Sequence, residues 1–126
     1  MAGEVSLKPE RARVQMIHQE EDMDPKILLI AGKLKSRIAA KYAVLDLKVF
    51  GSSARGDRRT GSDIDVLVCL SDLNRTIEAE LFDIAYDLEL EFDCLIDLIV
   101  VSEQDLKGRI GSAPIYAKIL EEGVAV

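Results

Sequence analysis

Apolar positions in the first half of the chain change from a helical to an extended spacing. Over 25–41, apolar residues recur every three or four positions, and Asp24-Pro25 supplies an N-cap and a first-turn proline. The segment 43–50 is mostly apolar, with polar residues at alternate positions near its middle. The pattern therefore predicts a helix over 25–41 and then a strand over 43–50, partly exposed on one face.

The second half of the chain repeats this alternation. Its pattern predicts a strand, a helix, a strand and a short helix, over 64–70, 75–91, 94–101 and 114–122. A polar turn is predicted at Ser102-Glu103, and Gly123 is the expected end of the last helix. Because short loops alternate with one long helical crossover, we predict an α/β (α+β) fold with a small mixed β-sheet flanked by helices.

The residues before the first predicted helix have a different character. Residues 1–23 are rich in charge and contain one weakly amphipathic turn. We interpret them as a charged N-terminal extension, mobile in part, and residues 24–126 as the folded domain. The only histidine, His18, lies in this extension and is interpreted as a surface residue.

Composition narrows the class of protein. A chain of 126 residues with 48% hydrophobic and 5% aromatic residues fits one domain with an aliphatic core. No apolar run approaches ~18 residues and the N-terminus is charged, so we expect neither a membrane span nor a signal peptide. Cys69 and Cys94 lack the CxxC spacing of a zinc site. They are interpreted as reduced, buried thiols of a cytoplasmic protein.

The charge balance argues against one large class of partner. With a formal net charge of −7, the chain lacks the basic face of a general nucleic-acid-binding protein. Arg55, Arg58 and Arg59 nevertheless cluster in one predicted loop. A small cationic region of this kind suits a nucleoside triphosphate better than a duplex.

The most informative stretch joins the first two predicted strands. Gly51-Ser52 ends one strand, and after ten further residues Asp63-Ile64-Asp65 begins the next. Successive side chains of a strand point to opposite faces, so Asp63 and Asp65 are predicted to share a face while Ile64 points into the core. Two carboxylates on one face can bind a hard divalent cation such as Mg²⁺.

The same stretch has features that suit phosphate. Gly51 allows backbone to approach a ligand closely because it has no Cβ. If 52–55 forms a helical turn, its N–H groups face an anion, and Arg55 is the nearest cation for a triphosphate. A Gly-Ser turn or an Asp-x-Asp pair alone is common, whereas the two at this spacing are much less so. The joint pattern resembles the DNA polymerase beta nucleotidyltransferase superfamily, and the small chain resembles its minimal nucleotidyltransferase (MNT) branch.

A third carboxylate, Asp97, lies within an apolar predicted strand. Burial of an unpaired carboxylate costs several kcal/mol, so Asp97 is expected to need a partner. A metal shared with Asp63 and Asp65 would supply one. The alternative is a buried Asp97 paired with an arginine or placed at a water-filled edge. Asp93 would lie on the same face of this predicted strand as Asp97. Its position at the start of the strand, however, favours a capping or turn role.

The resemblance implies a nucleotidyltransferase fold over about residues 24–122 and a role for each matching residue. Gly51 and Ser52 would hold the phosphates of ATP. Asp63 and Asp65 would bind two Mg²⁺ ions, and Asp97 would bind the second ion and help to deprotonate an acceptor hydroxyl. That hydroxyl would attack the α-phosphorus, so that pyrophosphate leaves.

The resemblance also implies a partner. MNT proteins are usually found beside a helical HEPN protein, often as toxin–antitoxin pairs, so this chain is expected to be an antitoxin that adenylylates a tyrosine of an HEPN ribonuclease toxin. Two alternatives stay open. One is a non-catalytic antitoxin that acts by stoichiometric binding, and the other is a nucleotidyltransferase acting on a small molecule such as an aminoglycoside.

Overall fold

The computed structural model describes residues 23–55 and 63–126. In chain order its elements are α1 (Pro25–Ala39), β1 (Val44–Phe50), α2 (Gly51–Arg55), β2 (Ile64–Leu70), α3 (Arg75–Phe92), β3 (Ile96–Ser102), α4 (Glu103–Lys107), a 3₁₀ helix (Ile110–Ser112), α5 (Pro114–Glu122) and β4 (Val124–Ala125). Most of the predicted extension, including His18, lies outside the described residues.

The four strands form one mixed sheet in the order β3-β2-β1-β4. Strand β1 is antiparallel to both β2 and β4, whereas β2 and β3 are parallel. Parallel neighbours cannot be joined by a tight turn, and α3 supplies the crossover between them. The predicted α/β fold with a mixed sheet and flanking helices is confirmed.

Local capping signals start the two long helices where the sequence predicts. Asp24 Oδ1 accepts a hydrogen bond of 2.8 Å from the backbone N–H of Lys26 at the start of α1. Asn74 Oδ1 accepts one of 2.8 Å from the N–H of Ile77 at the start of α3. Each bond satisfies a donor that has no acceptor within its own helix, so these starts depend on short-range chemistry alone.

Several boundaries differ from the prediction. Helix α1 ends at Ala39 rather than at 41, and β1 begins at Val44 rather than at 43. Strand β3 spans Ile96–Ser102 rather than 94–101. The cause lies at Asp93, which caps α3 with a left-handed φ of 51°. The N–H of Cys94 still donates to the carbonyl of Glu89, 3.1 Å away. Cys94 is therefore part of the C-terminal cap of α3, and β3 begins only after it.

Three elements were not predicted: α4, the 3₁₀ helix and β4. Helix α4 begins where the sequence indicated only a polar turn, because Ser102 and Asp105 form a capping box. Ser102 Oγ accepts from the N–H of Asp105 at 3.0 Å, and Asp105 Oδ2 accepts from the N–H of Ser102 at 2.9 Å. Strand β4 has only two residues, Val124 and Ala125, which pair with β1.

The sheet is covered on both faces, unequally. Helices α1 and α3 pack on one face and build the main core, which includes Met23 at the edge of the predicted extension. A smaller cluster on the other face lies beneath α5 and contains Leu67, Cys69, Val101 and Ile119. Because α5 is short, the described residues cover this second face over only part of its length.

Cys69 and Cys94, which both lie in the described part of the chain, are not joined in a disulfide. Cys69 is buried, and burial raises the pKa of its thiol, whereas Cys94 is half-buried. Among the described helices, none has both the length and the apolar composition needed to cross a membrane.

Two leucines on α3 test the main core. Leu88 is buried and Leu90 is exposed on the same helix. We expect Leu88→Ala to lower the free energy of unfolding by about 2–5 kcal/mol, because it leaves a cavity. Leu90→Ala is the matched control and should change it by no more than about 0.5 kcal/mol. Urea denaturation followed by circular dichroism measures both, and equal losses would contradict the packing described above.

Candidate active site

The candidate site lies at the end of the sheet where β1 ends and where β2 and β3 begin. Phe50 pairs with Asp65 across the antiparallel strands, and Asp65 pairs with Asp97 across the parallel strands. Residues directly opposite each other on neighbouring strands project from the same face. Phe50, Asp65 and Asp97 therefore form a row across the less covered face of the sheet.

Asp63 directly precedes β2 and continues the alternation of that strand. Ile64 and Val66 are buried in the main core, as predicted. Asp63 is exposed and Asp65 is half-buried, on the opposite face. The sequence spacing therefore places Asp63 and Asp65 on the face that also holds Asp97.

The expected burial of Asp97 is wrong. Its side chain is exposed, because β3 is an edge strand and the cluster beneath α5 does not extend this far. Along the same face of β3, exposure falls from Asp97 to half-buried Ile99 and then to buried Val101. The need for a partner to offset burial therefore does not arise, and the register beside Asp65 is what connects Asp97 to the site.

Gly51 brings the turn after β1 into close contact with Asp65. Its φ of +67° lies in the left-handed region, which favours glycine. A Cβ built at this position would lie only 2.6 Å from Oδ2 of Asp65. The missing side chain at Gly51 thus lets the Asp65 carboxylate lie against the backbone that begins α2.

The serines after Gly51 differ in environment. Ser52 is half-buried, whereas Ser53 is fully buried. Ser53 Oγ donates a hydrogen bond of 3.3 Å to the backbone carbonyl of Asp63. This bond connects α2 to the residue that precedes β2. Ser53 was not predicted as a site residue, although the Gly-Ser-Ser run was visible in the sequence.

The basic loop contributes less to the described geometry. Arg55 ends α2, but its side chain lies outside the described part of the structure. Arg58 and Arg59 also lie outside it. The predicted role of Arg55 at a triphosphate therefore stays a prediction.

A pocket of about 160 Å³ lies beside Gly51, between the end of β1 and α5. Phe50, Ile115 and Ile119 give it apolar walls, and Lys118 and Glu122 add one charge of each sign. Lys118 thus places a cation next to Gly51. Lys118 was not predicted as a site residue because α5 carries no motif, and only the packing of α5 against α2 and β1 brings it here.

The three carboxylates have the chemistry expected of a magnesium site. Asp63, Asp65 and Asp97 offer only oxygen donors on one face, and Mg²⁺ prefers oxygen ligands. Within 23–55 and 63–126, however, no three His, Cys, Asp or Glu side chains form a cluster that could hold a metal ion. The residues fit a divalent cation by type and by face, and their assignment as ligands stays a prediction.

Comparison with known proteins places this geometry in context. A family model described as Nucleotidyltransferase domain matches residues 31–126. No curated protein matches the chain.

Solved structures share the fold. A variant of the MntA–HpeT toxin–antitoxin complex aligns with a TM-score of 0.51 at 22% identity, covering 75% of this chain and 69% of that one. A Shewanella oneidensis structure gives 0.51 at 20% identity, covering 81% and 70%. A toxin–antitoxin structure with AMP-PNP gives 0.50 at 22% identity, covering 73% and 68%. This chain therefore spans about two thirds of each matched chain, and at these identities the likeness shows the fold.

Two glycines test the contact between Gly51 and Asp65. Gly51→Ala should lower the free energy of unfolding by about 1–3 kcal/mol, because alanine is strained at this φ and its Cβ would displace the carboxylate. Gly32 is the matched control, since a Cβ there meets nothing within 4 Å. Gly32→Ala in α1 should instead raise the free energy of unfolding by about 0.5–1 kcal/mol. Urea denaturation of both variants checks the opposite signs.

Proposed function

The chain belongs to the nucleotidyltransferase domain family, and we propose that it transfers AMP from ATP to a hydroxyl group of a partner protein. The observation that carries the proposal is the position of Asp65, which lies against the Gly51 backbone and beside Asp97. A ligand at this point would meet the turn and two carboxylates together.

In this proposal the Gly51 turn binds the phosphates of ATP. Gly51 leaves the backbone accessible, and the first turn of α2 follows directly, with N–H groups directed away from its own helix. Ser52 is half-buried and offers a hydroxyl donor at the same point. Arg55 follows the turn closely in the sequence, and Lys118 lines the pocket beside Gly51. Both residues would supply positive charge, which favours a triphosphate.

Asp63, Asp65 and Asp97 would hold two Mg²⁺ ions. When bound, such ions neutralise the charge that develops on the phosphoryl oxygens during transfer. In this proposal, the positions of the three carboxylates determine where the reaction takes place. Asp65 is held by its strand neighbours and by the Gly51 contact, whereas Asp63 and Asp97 are exposed and accessible to substrate.

We assign to Asp97 the removal of the acceptor proton. Its exposure on the edge strand leaves room for a hydroxyl group of another molecule. The hydroxyl oxygen forms a bond to the α-phosphorus while its proton passes to an Asp97 oxygen. The bond from the α-phosphorus to the bridging oxygen breaks, and pyrophosphate leaves with that electron pair. Such chemistry depends on positioning and charge rather than on a covalent enzyme intermediate.

We propose a helical HEPN ribonuclease toxin as the acceptor protein, which makes the chain an antitoxin. Support comes from the fold, since similar solved structures are toxin–antitoxin complexes and one of them is described with AMP-PNP. The open edge at Asp97 adds to this support, because a protein acceptor needs an accessible approach.

Incubation with α-labelled ATP, Mg²⁺ and a candidate helical partner tests the proposal. Label on the partner protein is the expected result. A tight complex without label would instead show stoichiometric binding. Label that appears only on an added aminoglycoside would show a small-molecule acceptor. Either of these two outcomes would contradict the proposal.

Asparagine variants test the carboxylates. Asp63→Asn, Asp65→Asn and Asp97→Asn should each lower the rate of AMP transfer by about a hundredfold or more, because each removes a charge needed for transition-state stabilisation. Asp93→Asn is the matched control, since Asp93 caps the end of α3 in a left-handed conformation that asparagine also adopts. A loss at Asp93 with none at Asp97 would show that the wrong acid was assigned.

Alanine variants test the arginines. Arg55→Ala should weaken MgATP binding by about tenfold, which corresponds to one charge-assisted hydrogen bond. Arg58→Ala and Arg59→Ala are the controls and should have smaller effects. Isothermal titration calorimetry measures the three affinities. Equal losses would indicate a diffuse positive field instead of a defined contact at Arg55.

A further inference from the structure

Helix α3 carries a row of large apolar side chains on its outer face. Phe82, Tyr86 and Leu90 are 45%, 57% and 66% exposed. Residues four apart lie on the same face of a helix, so these three form one ridge. At ~1.5 Å per residue the ridge is about 12 Å long. We call Phe82, Tyr86 and Leu90 the α3 ridge.

The α3 ridge is not part of the domain core. The same helix directs Leu81, Ala85 and Leu88 into the core, and all three are buried. Single exposed apolar residues are normal on a protein surface, whereas a continuous apolar patch marks an interaction site. Two of the three ridge residues are aromatic, and Tyr is enriched among the residues that dominate binding energy at interfaces.

Acidic residues border the α3 ridge on both sides. At 3.6 residues per turn, Asp83 and Asp87 lie along one side, and Glu78 and Glu89 along the other. Asp83 and Asp87 form no ion pair with any residue in the described part of the chain. The one basic residue of α3, Arg75, is in its first turn. The ridge is therefore apolar at its centre and negative at its rims.

The position of the α3 ridge relates it to the candidate site. Helix α3 ends at Phe92, and β3 begins at Ile96, directly before Asp97. The Leu90 end of the ridge therefore lies at the same end of the sheet as Asp97. Leu95, in the connection, is also 57% exposed. Helix α3 packs on the face of the sheet opposite to that of Asp97, and β3 is the edge strand between them. In this inference, a protein bound to the ridge reaches Asp97 around that edge.

We infer that the α3 ridge docks a helix of the partner protein whose apolar stripe is flanked by lysine or arginine side chains. Apolar burial along the ridge would supply affinity, and the acidic rims would select a basic helix. The identification of this partner with the AMP acceptor rests on the proposed function, whereas the docking itself does not.

A second copy of this chain is a poor occupant of the ridge. The chain has a formal net charge of −7, and two α3 ridges brought together would face each other with acidic rims. Like charges placed opposite each other across an interface disfavour association. The charge pattern therefore favours a basic partner over self-association.

A synthetic amphipathic helix made of leucine and lysine is the probe, and the same peptide with glutamate for lysine is its negative control. Fluorescence anisotropy of the labelled peptides measures their affinity for the full chain. We expect Tyr86→Ser and Leu90→Ser each to weaken binding of the leucine–lysine peptide by about tenfold, as for central interface residues. Asp83→Asn with Asp87→Asn should weaken it several-fold, and added salt should do the same.

Matched variants on α5 keep the test specific. Leu120 is 53% exposed and Glu121 is exposed, and neither is on α3. Leu120→Ser and Glu121→Gln should leave the affinity within about twofold of the unmodified chain, as expected away from an interface centre. Because all substituted side chains are exposed, unchanged circular dichroism and melting temperature verify that each variant is folded.

Several results would overturn the inference. The inference is wrong if the leucine–lysine peptide does not bind, or if the leucine–glutamate peptide binds equally well. It is also wrong if Leu120→Ser lowers the affinity for the leucine–lysine peptide as much as Leu90→Ser does. A dimer of the unmodified chain that Leu90→Ser dissociates in analytical ultracentrifugation would identify the second copy as the occupant. Failure of AMP transfer with ridge-dependent peptide binding intact would refute the proposed function alone.

Discussion

The contact between the Asp65 carboxylate and the Gly51 backbone is the constraint on which the candidate site depends. A side chain at Gly51 would begin 2.6 Å from Asp65 Oδ2, so the approach requires a residue without Cβ. The positive φ of Gly51 then directs the chain straight from β1 into α2. The turn and the Asp65 carboxylate therefore lie together, at the point where we propose that phosphate and Mg²⁺ bind.

The two faces of the sheet are covered unequally, and this difference leaves the contact between Gly51 and Asp65 accessible to a ligand. The face beneath α1 and α3 is filled with aliphatic side chains and holds the strands in register. In the part of the chain that the structure describes, the cover of the other face is centred on Leu67, Cys69 and Val101, beneath α5. The row formed by Phe50, Asp65 and Asp97 lies at the less covered end of this face. One face therefore stabilises the domain, and the incomplete cover of the other makes the carboxylates accessible.

Much of the architecture could be predicted from local patterns. Strand β2 and helix α5 have the predicted bounds, Asp24 caps α1 as expected, and α3 begins at the predicted position, capped by Asn74. These features depend on side-chain periodicity and on hydrogen bonds within a few residues, which a linear sequence contains. Helix α4 depends on an equally local capping box at Ser102 and Asp105, so the sequence contains the signal for this helix too.

The sequence alone determined the candidate chemistry: a Gly-Ser turn, the shared face of Asp63 and Asp65, and a third carboxylate in the next apolar strand. It did not determine the exposure of Asp97, because an apolar strand has the same pattern whether or not a distant helix covers its end. It also did not place Lys118 beside Gly51, since that proximity arises from packing between elements far apart in the chain. Only the tertiary structure decided these points, because burial and adjacency depend on which surfaces meet, whereas periodicity records only which face of an element is apolar.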